Sequence, residues 1–335
     1  MMLSNSHVFS DLVSEDNGRK LKIAAKRYWS GHSAKHAGPG SVTVVLAHGS
    51  GFHKEHFEPF LQHLFALAEN DGVAVIREAW ALDWQSHGDS AVLNADVLGQ
   101  DEIVSISVWG RALASFASSA RLQGPIIAIG HSAGSSAFMY STKFFAAKDV
   151  PYAAMLLIEP PLIDRDVFEA NHKDRQRQLK FVTAAVSKSR ASWPNKASAL
   201  EYFAKRPPWR TWDRRVLELY VEHGLYQAPE GEDVVPKCPK TRESAAFVDL
   251  ESTFVATEQI APVSALLPLH IIFGAKNDMM PRYGQDSLID ASKGRMPASV
   301  TRVDGAGHLI VQEIPDRLAE VVYALLKDRA FRAKL

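Results

Sequence analysis

Ile126-Ile127-Ala128-Ile129-Gly130-His131-Ser132-Ala133-Gly134 is the stretch whose reading decides the fold. Four apolar residues in a row predict a strand covered on both faces. The residues after Gly134 predict a helix over Ser135–Ala147. A serine between two glycines at such a strand-to-helix bend fits a nucleophile elbow, whose small flanking residues permit a sharp turn that lifts the hydroxyl above the sheet. The Ala133 N–H, opening the helix, then points to where a tetrahedral oxyanion would form. No G-x-G-x-x-G is present here, which argues against a dinucleotide site. Serine rather than aspartate at the bend excludes a carboxylate nucleophile, so acyl chemistry is expected: attack on an ester or thioester, an acyl-serine, then release.

Working outward, short apolar runs alternate with longer amphipathic stretches, the pattern of a mostly parallel sheet flanked by helices. Strands are expected at Thr43–Ala47, Val73–Ile76, Ile126–Ile129, Ala154–Ile158, Leu269–Phe273 and Val300–Val303. Helices are expected at Glu58–Glu69, Ile106–Ser119, Ser135–Ala147 and Pro315–Lys327. From Glu159 to about Leu266 the strand-like runs stop, and Arg, Lys, Trp and Tyr recur at helical spacing. The division this suggests is a core formed by 1–159 and 267–335, interrupted after the sixth strand by a helical cap, 160–266. The remaining core, about 230 residues, is a comfortable size for one α/β domain.

Three further segments carry chemistry. His48-Gly49-Ser50-Gly51-Phe52 follows the Thr43–Ala47 strand, so Ser50 and Gly51 are candidates for the second oxyanion donor, with Phe52 beside the substrate. Asp304-Gly305-Ala306-Gly307-His308 follows the last strand, where glycines free the loop so that the His308 imidazole can act as base for Ser132. The acid that orients His308 has two candidates. Asp278, in Gly274-Ala-Lys-Asn-Asp278, follows the strand that usually supplies it, although Asn277 stands where the common G-x-x-D-x-x-x-P spacing puts the acid. Glu159, in Leu156-Leu-Ile-Glu159-Pro160, ends the strand after the serine and is preferred. A metal at His48, His53 and His56 is not expected, because no H-E-x-x-H pair is present. No cofactor is expected.

Together these residues resemble the α/β-hydrolase superfamily across nearly the whole chain. A narrower likeness is to fungal peroxisomal hydrolases of the toxin-biosynthesis, peroxisomal-lipase and mycophenolic acid acyl-CoA hydrolase type. It rests on His48-Gly-Ser-Gly-Phe-His-Lys-Glu55 with Glu58-Pro59, on Gly130-His-Ser-Ala-Gly134 and on Ile158-Glu-Pro160. Trp212-Asp-Arg-Arg-Val216, Tyr220-Val-Glu-His-Gly224 and Lys237-Cys-Pro239 with Glu243 extend it. The resemblance implies an α/β-hydrolase fold and hydrolysis of an acyl-CoA or a lipophilic ester in a peroxisome. It also places the triad acid of some members after the same strand as Glu159. The ending Ala333-Lys334-Leu335 is one conservative step from the Ser-Lys-Leu address read by the peroxisomal import receptor, with a cytoplasmic location as the alternative.

Composition bounds the rest. Apolar side chains make up 46% of the 335 residues, too many for a disordered chain. Lys+Arg and Asp+Glu both number 38, which disfavours a nucleic-acid binder. One cysteine, Cys238, excludes an internal disulfide framework and fits a reducing compartment. The N-terminus shows no secretory leader pattern, and apolar runs such as Leu266–Phe273 are too short to cross a bilayer. Pro161–Arg215 carries thirteen Lys/Arg against six Asp/Glu on a chain that is neutral overall. Trp193, Trp209 and Trp212 lie in the same stretch, so Arg214 and Arg215 could form a basic rim beside an aromatic-lined tunnel for an anionic head with a greasy tail such as an acyl-CoA. A solvated helical surface over buried aromatics explains the same residues. His131, next to the serine, is a further candidate for substrate contact. Two other classes stay open: a lyase or cyclase using His308 as base, and a silent binding protein.

Overall fold

All six residues of the strand Val42–Ala47 are buried, and successive side chains alternate between two apolar clusters. Val44 and Leu46 face one side with Ile127 and Ile129, while Val45 and Ala47 face the other with Ala128. A strand apolar on both faces is stable only between two layers, and the computed structural model, which describes residues 1–16, 18–38, 40–71, 76–99, 102–228 and 231–328, has that arrangement.

The central sheet has eight strands: β1 (Met2–Phe9), β2 (Ile23–Ser30), β3 (Val42–Ala47), β4 (Ile76–Leu82), β5 (Ile126–His131), β6 (Tyr152–Ile158), β7 (Leu269–Gly274) and β8 (Ser299–Val303). Their spatial order is β1-β2-β4-β3-β5-β6-β7-β8. Strand β2 runs antiparallel to both its neighbours, and the other pairs are parallel. Helices α1 (Glu58–Asn70) and α5 (Pro315–Lys327) cover one face; α2 (Ile106–Ala117) and α3 (Ala133–Ser141) cover the other. Both α1 and α5 carry proline in their first turn, where the missing N–H has no helical partner to lose. Each Leu, Ile or Phe buried in these layers contributes about 1.5–3 kcal/mol.

Strands β1 and β2 are absent from the sequence expectation. Most of β1 is solvent-exposed, so it lacks the continuous apolar run by which the inner strands were read. Of the expected Val73–Ile76 strand, 73–75 lie outside the described residues and β4 begins at Ile76. Helix α3 starts two residues earlier than expected and gives way to a tight turn over Thr142–Phe144. Between β6 and β7 the chain forms a series of helices, among them α4 (His172–Lys188). That stretch is not purely helical as expected: Leu225–Gln227 and Val234–Pro236 pair antiparallel, three residues each, too short to show alternation.

The loop after β3 is anchored by a buried lysine. Lys54, 1% exposed, meets Asp83 Oδ2 at 3.0 Å, Asp89 Oδ2 at 2.6 Å and Glu55 Oε1 at 3.0 Å. Burial opposes its charge, yet these carboxylates hold its pKa above that of a free lysine. Asp83 also accepts from the Lys54 amide at 2.8 Å, tying the loop to the end of β4. Lys54→Met strands buried carboxylates and should destabilise the fold by about 3–5 kcal/mol. Urea unfolding of the variant beside the parent protein checks this.

Candidate active site

The bend after β5 is built by close approach. A methyl on Gly134 would collide with the Ala47 carbonyl of the neighbouring strand, so only glycine lets α3 start so near the sheet. Ser132 consequently sits at φ 50°, ψ −122°. Its amide donates to the Ile158 carbonyl at 2.9 Å, which continues the β5–β6 pairing past the strand end. One strand along, Glu159 repeats the device: it takes φ 49°, and its amide donates to the Ile272 carbonyl at 2.8 Å. Among the described residues, Ser132 and Glu159 are the two non-glycine positions with positive φ. Such strain persists only where the surroundings fix it, and it concentrates at functional sites.

These two bends bring three side chains into line. His308 Nε2 lies 2.9 Å from Ser132 Oγ, and His308 Nδ1 lies 3.1 Å from Glu159 Oε2. The carboxylate can only accept, so Nδ1 carries the proton and Nε2 presents its lone pair to the serine hydroxyl. The other Glu159 oxygen accepts from the Gly274 amide at 2.6 Å, so both oxygens are held. Asp278, the alternative acid, does not reach the imidazole. Its Oδ1 accepts from the His308 backbone amide at 2.8 Å, and its carboxylate fills the space beside Gly307, where a methyl would collide with it. Asp278 thus serves the backbone of the histidine loop and not the imidazole ring.

The remaining expected residues divide. The Ala133 and Ser50 amides have no hydrogen-bond partner among the described residues, and both residues line the cavity above Ser132. The loop that carries Ser50 is set by His48, whose Nε2 accepts from the Trp84 amide at 3.1 Å while Nδ1 donates to the Gly49 carbonyl at 2.7 Å. Burial lowers the His48 pKa to about 3, so this neutral tautomer holds over the working pH range. Because a trans peptide sets C=O and N–H on opposite sides, turning the Gly49 carbonyl to His48 turns the Ser50 N–H away from it. Gly51 packs against Glu243 and is not part of the cavity wall. Phe52 and His131 stack at 6.1 Å behind that wall, and His131 Nε2 donates to the His308 carbonyl at 2.9 Å. They support the histidine loop and are not among the residues lining the cavity, contrary to expectation.

The expected basic rim is also not there. Arg214 pairs with Glu218 at 2.7 Å, and Arg215 pairs with Asp213 at 2.8 Å and Asp316 at 2.9 Å, all near solvent. Trp193, Trp209 and Trp212 pack on one another through Phe203 and Tyr220, in a cluster that rests on Phe52 and Leu309. The cavity wall is instead made by Ile163, Phe168, Leu179, Val182, Met280 and their neighbours, around about 720 Å³ of space free of atoms and partly open to solvent. One wall residue, Arg175, was missed because it sits in the polar run His172-Lys-Asp-Arg-Gln-Arg-Gln178. Its signal was register: 175, 179 and 182 share the apolar stripe of α4.

Glu243 links the loop carrying Ser50 and Gly51 to the segment between β6 and β7. Its carbonyl accepts from Ser50 Oγ at 2.6 Å, and a methyl on Gly51 would lie 2.7 Å from its Oε1. Burial pushes the Glu243 carboxyl up to about 7 from an ordinary 4.5. The folded chain therefore keeps a proton that the unfolded chain loses. This contribution to stability is present in full below pH 4.5 and is lost as pH rises through about 7. Glu243→Gln should flatten that part of the profile, read as urea midpoints at pH 5 and pH 8 for both proteins.

A model of the alpha/beta hydrolase family matches residues 44–321. The chain is similar in structure to the peroxisomal alpha-beta-hydrolase Lpx1 of Saccharomyces cerevisiae, with a TM-score of 0.72, 19% identity, and coverage of 97% of this chain and 87% of that one. It is also similar to the Mycobacterium tuberculosis esterase Rv0045c, with a TM-score of 0.63, 16% identity, and coverage of 97% and 93%. The thioesterase domain of the curacin biosynthetic pathway gives a TM-score of 0.62 at 13% identity, with coverage of 96% and 99%. No curated protein sequence gives a significant match. At these identities the structural likeness speaks for the fold, and the family match over most of the sequence settles membership: this chain belongs to the alpha/beta hydrolase family.

Proposed function

We propose that this protein is a serine hydrolase that cleaves a carboxylic ester or thioester through an acyl-serine. The single observation that carries the reading is the hydrogen-bonded line from Ser132 Oγ through His308 to Glu159. Ser132 Oγ attacks the acyl carbonyl carbon while its proton passes to His308 Nε2. Glu159 stabilises the imidazolium that forms, and the Ala133 and Ser50 amides hold the oxyanion. Collapse of the tetrahedral adduct expels the alcohol or thiol, which takes the proton from Nε2. Water, activated by the same nitrogen, then releases the acid.

The same reading takes 160–266 as the cap over a core of 1–159 and 267–335. It takes an acyl-CoA or lipophilic ester as substrate, in the manner of the fungal peroxisomal hydrolases that the sequence resembles. A peroxisomal rather than cytoplasmic location belongs to the same reading and is supported by the likeness to the peroxisomal hydrolase Lpx1; the expected address, Ala333-Lys334-Leu335, lies outside the described residues. In the described chain no helix is long and apolar enough to cross a membrane.

An alkyl fluorophosphonate should label the native protein and fail to label Ser132→Ala. Against a panel of acyl esters and thioesters, loss of the serine should cost about 10⁶ in turnover and Glu159→Gln about 10⁴. Asp278→Asn keeps an oxygen for the His308 amide and should cost less than about tenfold. An unlabelled Ser132 together with full turnover in Ser132→Ala would point to lyase chemistry instead.

A further inference from the structure

Arg175 lines the same cavity as Ser132 and His308, is 7% exposed, and among the described residues has no carboxylate partner for its guanidinium. No Asp or Glu belongs to the cavity wall, where Arg175 is the one permanently charged side chain among the described residues. A guanidinium offers five N–H donors. Those of Arg175 meet uncharged acceptors only: Gln178 Oε1, the Met280 sulfur at 3.7 Å, and the Tyr283 hydroxyl, which itself donates to the exposed Asp174. Its Nε–H is buried without a partner. Elsewhere in the same basic segment, Arg165 pairs with Glu251, Arg214 with Glu218 and Arg215 with Asp213, while Arg190 and Arg206, which have no such partner among the described residues, stay exposed to solvent.

A buried cation without a counter-ion is costly, and the cost falls when an anion enters and accepts its N–H groups. The wall of the cavity that Arg175 and Ser132 share is otherwise largely apolar, which suits a hydrocarbon body. We propose that Arg175 is a specificity-determining residue that binds a carboxylate carried by the substrate, so that the preferred substrate is an ester or thioester with an apolar body and a second, ionised carboxyl group. This rests on the hydrolytic reading above and narrows its substrate class. The carboxylate could belong to the acyl part or to the alcohol part, and recognition by the guanidinium is the same in both cases.

The test measures binding in the Ser132→Ala protein, where no turnover intervenes. Monomethyl adipate is compared with dimethyl adipate, and 4-butyryloxybutanoate with its methyl ester, by calorimetry at pH 7.5. At least one anionic member should bind ten or more times tighter than its neutral counterpart, and which pair responds tells which side of the ester faces Arg175. Adding Arg175→Met should bring the ratio in that pair to near one, while Arg175→Lys should retain part of it. Equal or weaker binding of both anionic members overturns the proposal, as does a preference that survives Arg175→Met. Because the first comparison leaves Arg175 in place, it stands even if Arg175→Met does not fold. Failure of the hydrolytic reading shows elsewhere, as Ser132-independent turnover, and leaves the binding ratios readable.

Discussion

Parallel hydrogen bonding that runs on past the strand ends is the constraint on which the rest of this structure depends. At the carboxyl edges of β5, β6 and β7, the Ser132 amide is held by the Ile158 carbonyl and the Glu159 amide by the Ile272 carbonyl. The Gly274 amide then returns to the Glu159 carboxylate. The first two bonds each fix one residue against the next strand just where the backbone bends into positive φ, and the third holds the carboxylate of the second bend. The two side chains that meet His308 are therefore located by the sheet and not by their own loops. A site built on regular elements keeps its geometry within narrow limits, which proton transfer between oxygen and nitrogen requires.

Around that edge the surrounding loops are fixed by polar contacts whose cost is met locally. Neutral His48 turns the peptide before Ser50, and Lys54 with its carboxylates locks the same loop to the end of β4. On the far side, Asp278 and His131 hold the backbone of His308 at its amide and carbonyl. The imidazole is thus restrained at both ring nitrogens and at the peptide groups of its own residue. Phe52, stacked on His131, extends this support to the aromatic cluster formed by Trp193, Trp209 and Trp212.

The inner strands and the serine bend were legible because burial on both faces leaves a continuous apolar run, and because close approach at Gly134 demands glycine. Helix α5 was legible to its end residues, since Pro315 opens it and its apolar face is regular. The N-terminal strands were not, because an edge strand such as β1 needs few apolar residues. The choice between Glu159 and Asp278 could not be read from spacing along the chain: it depends on the register of β6 against β7, a relation between distant segments. The expected roles of Arg214 and Arg215 failed for a related reason. Net charge counts residues but does not say which of them are already paired, and the arginine that faces the cavity is hidden in a polar helix.

The bond from Ser50 to the Glu243 carbonyl has a consequence for the catalytic cycle. The loop that carries Ser50 takes part of its shape from the segment between β6 and β7, which also supplies much of the cavity wall. Moving that segment to admit a bulky molecule would release the loop as well, and with the oxyanion role proposed for the Ser50 amide an accessible conformer would also be a poorly reactive one. Entry and bond cleavage would then belong to separate moments, and stray nucleophiles arriving through an open mouth would meet apparatus that is not yet assembled.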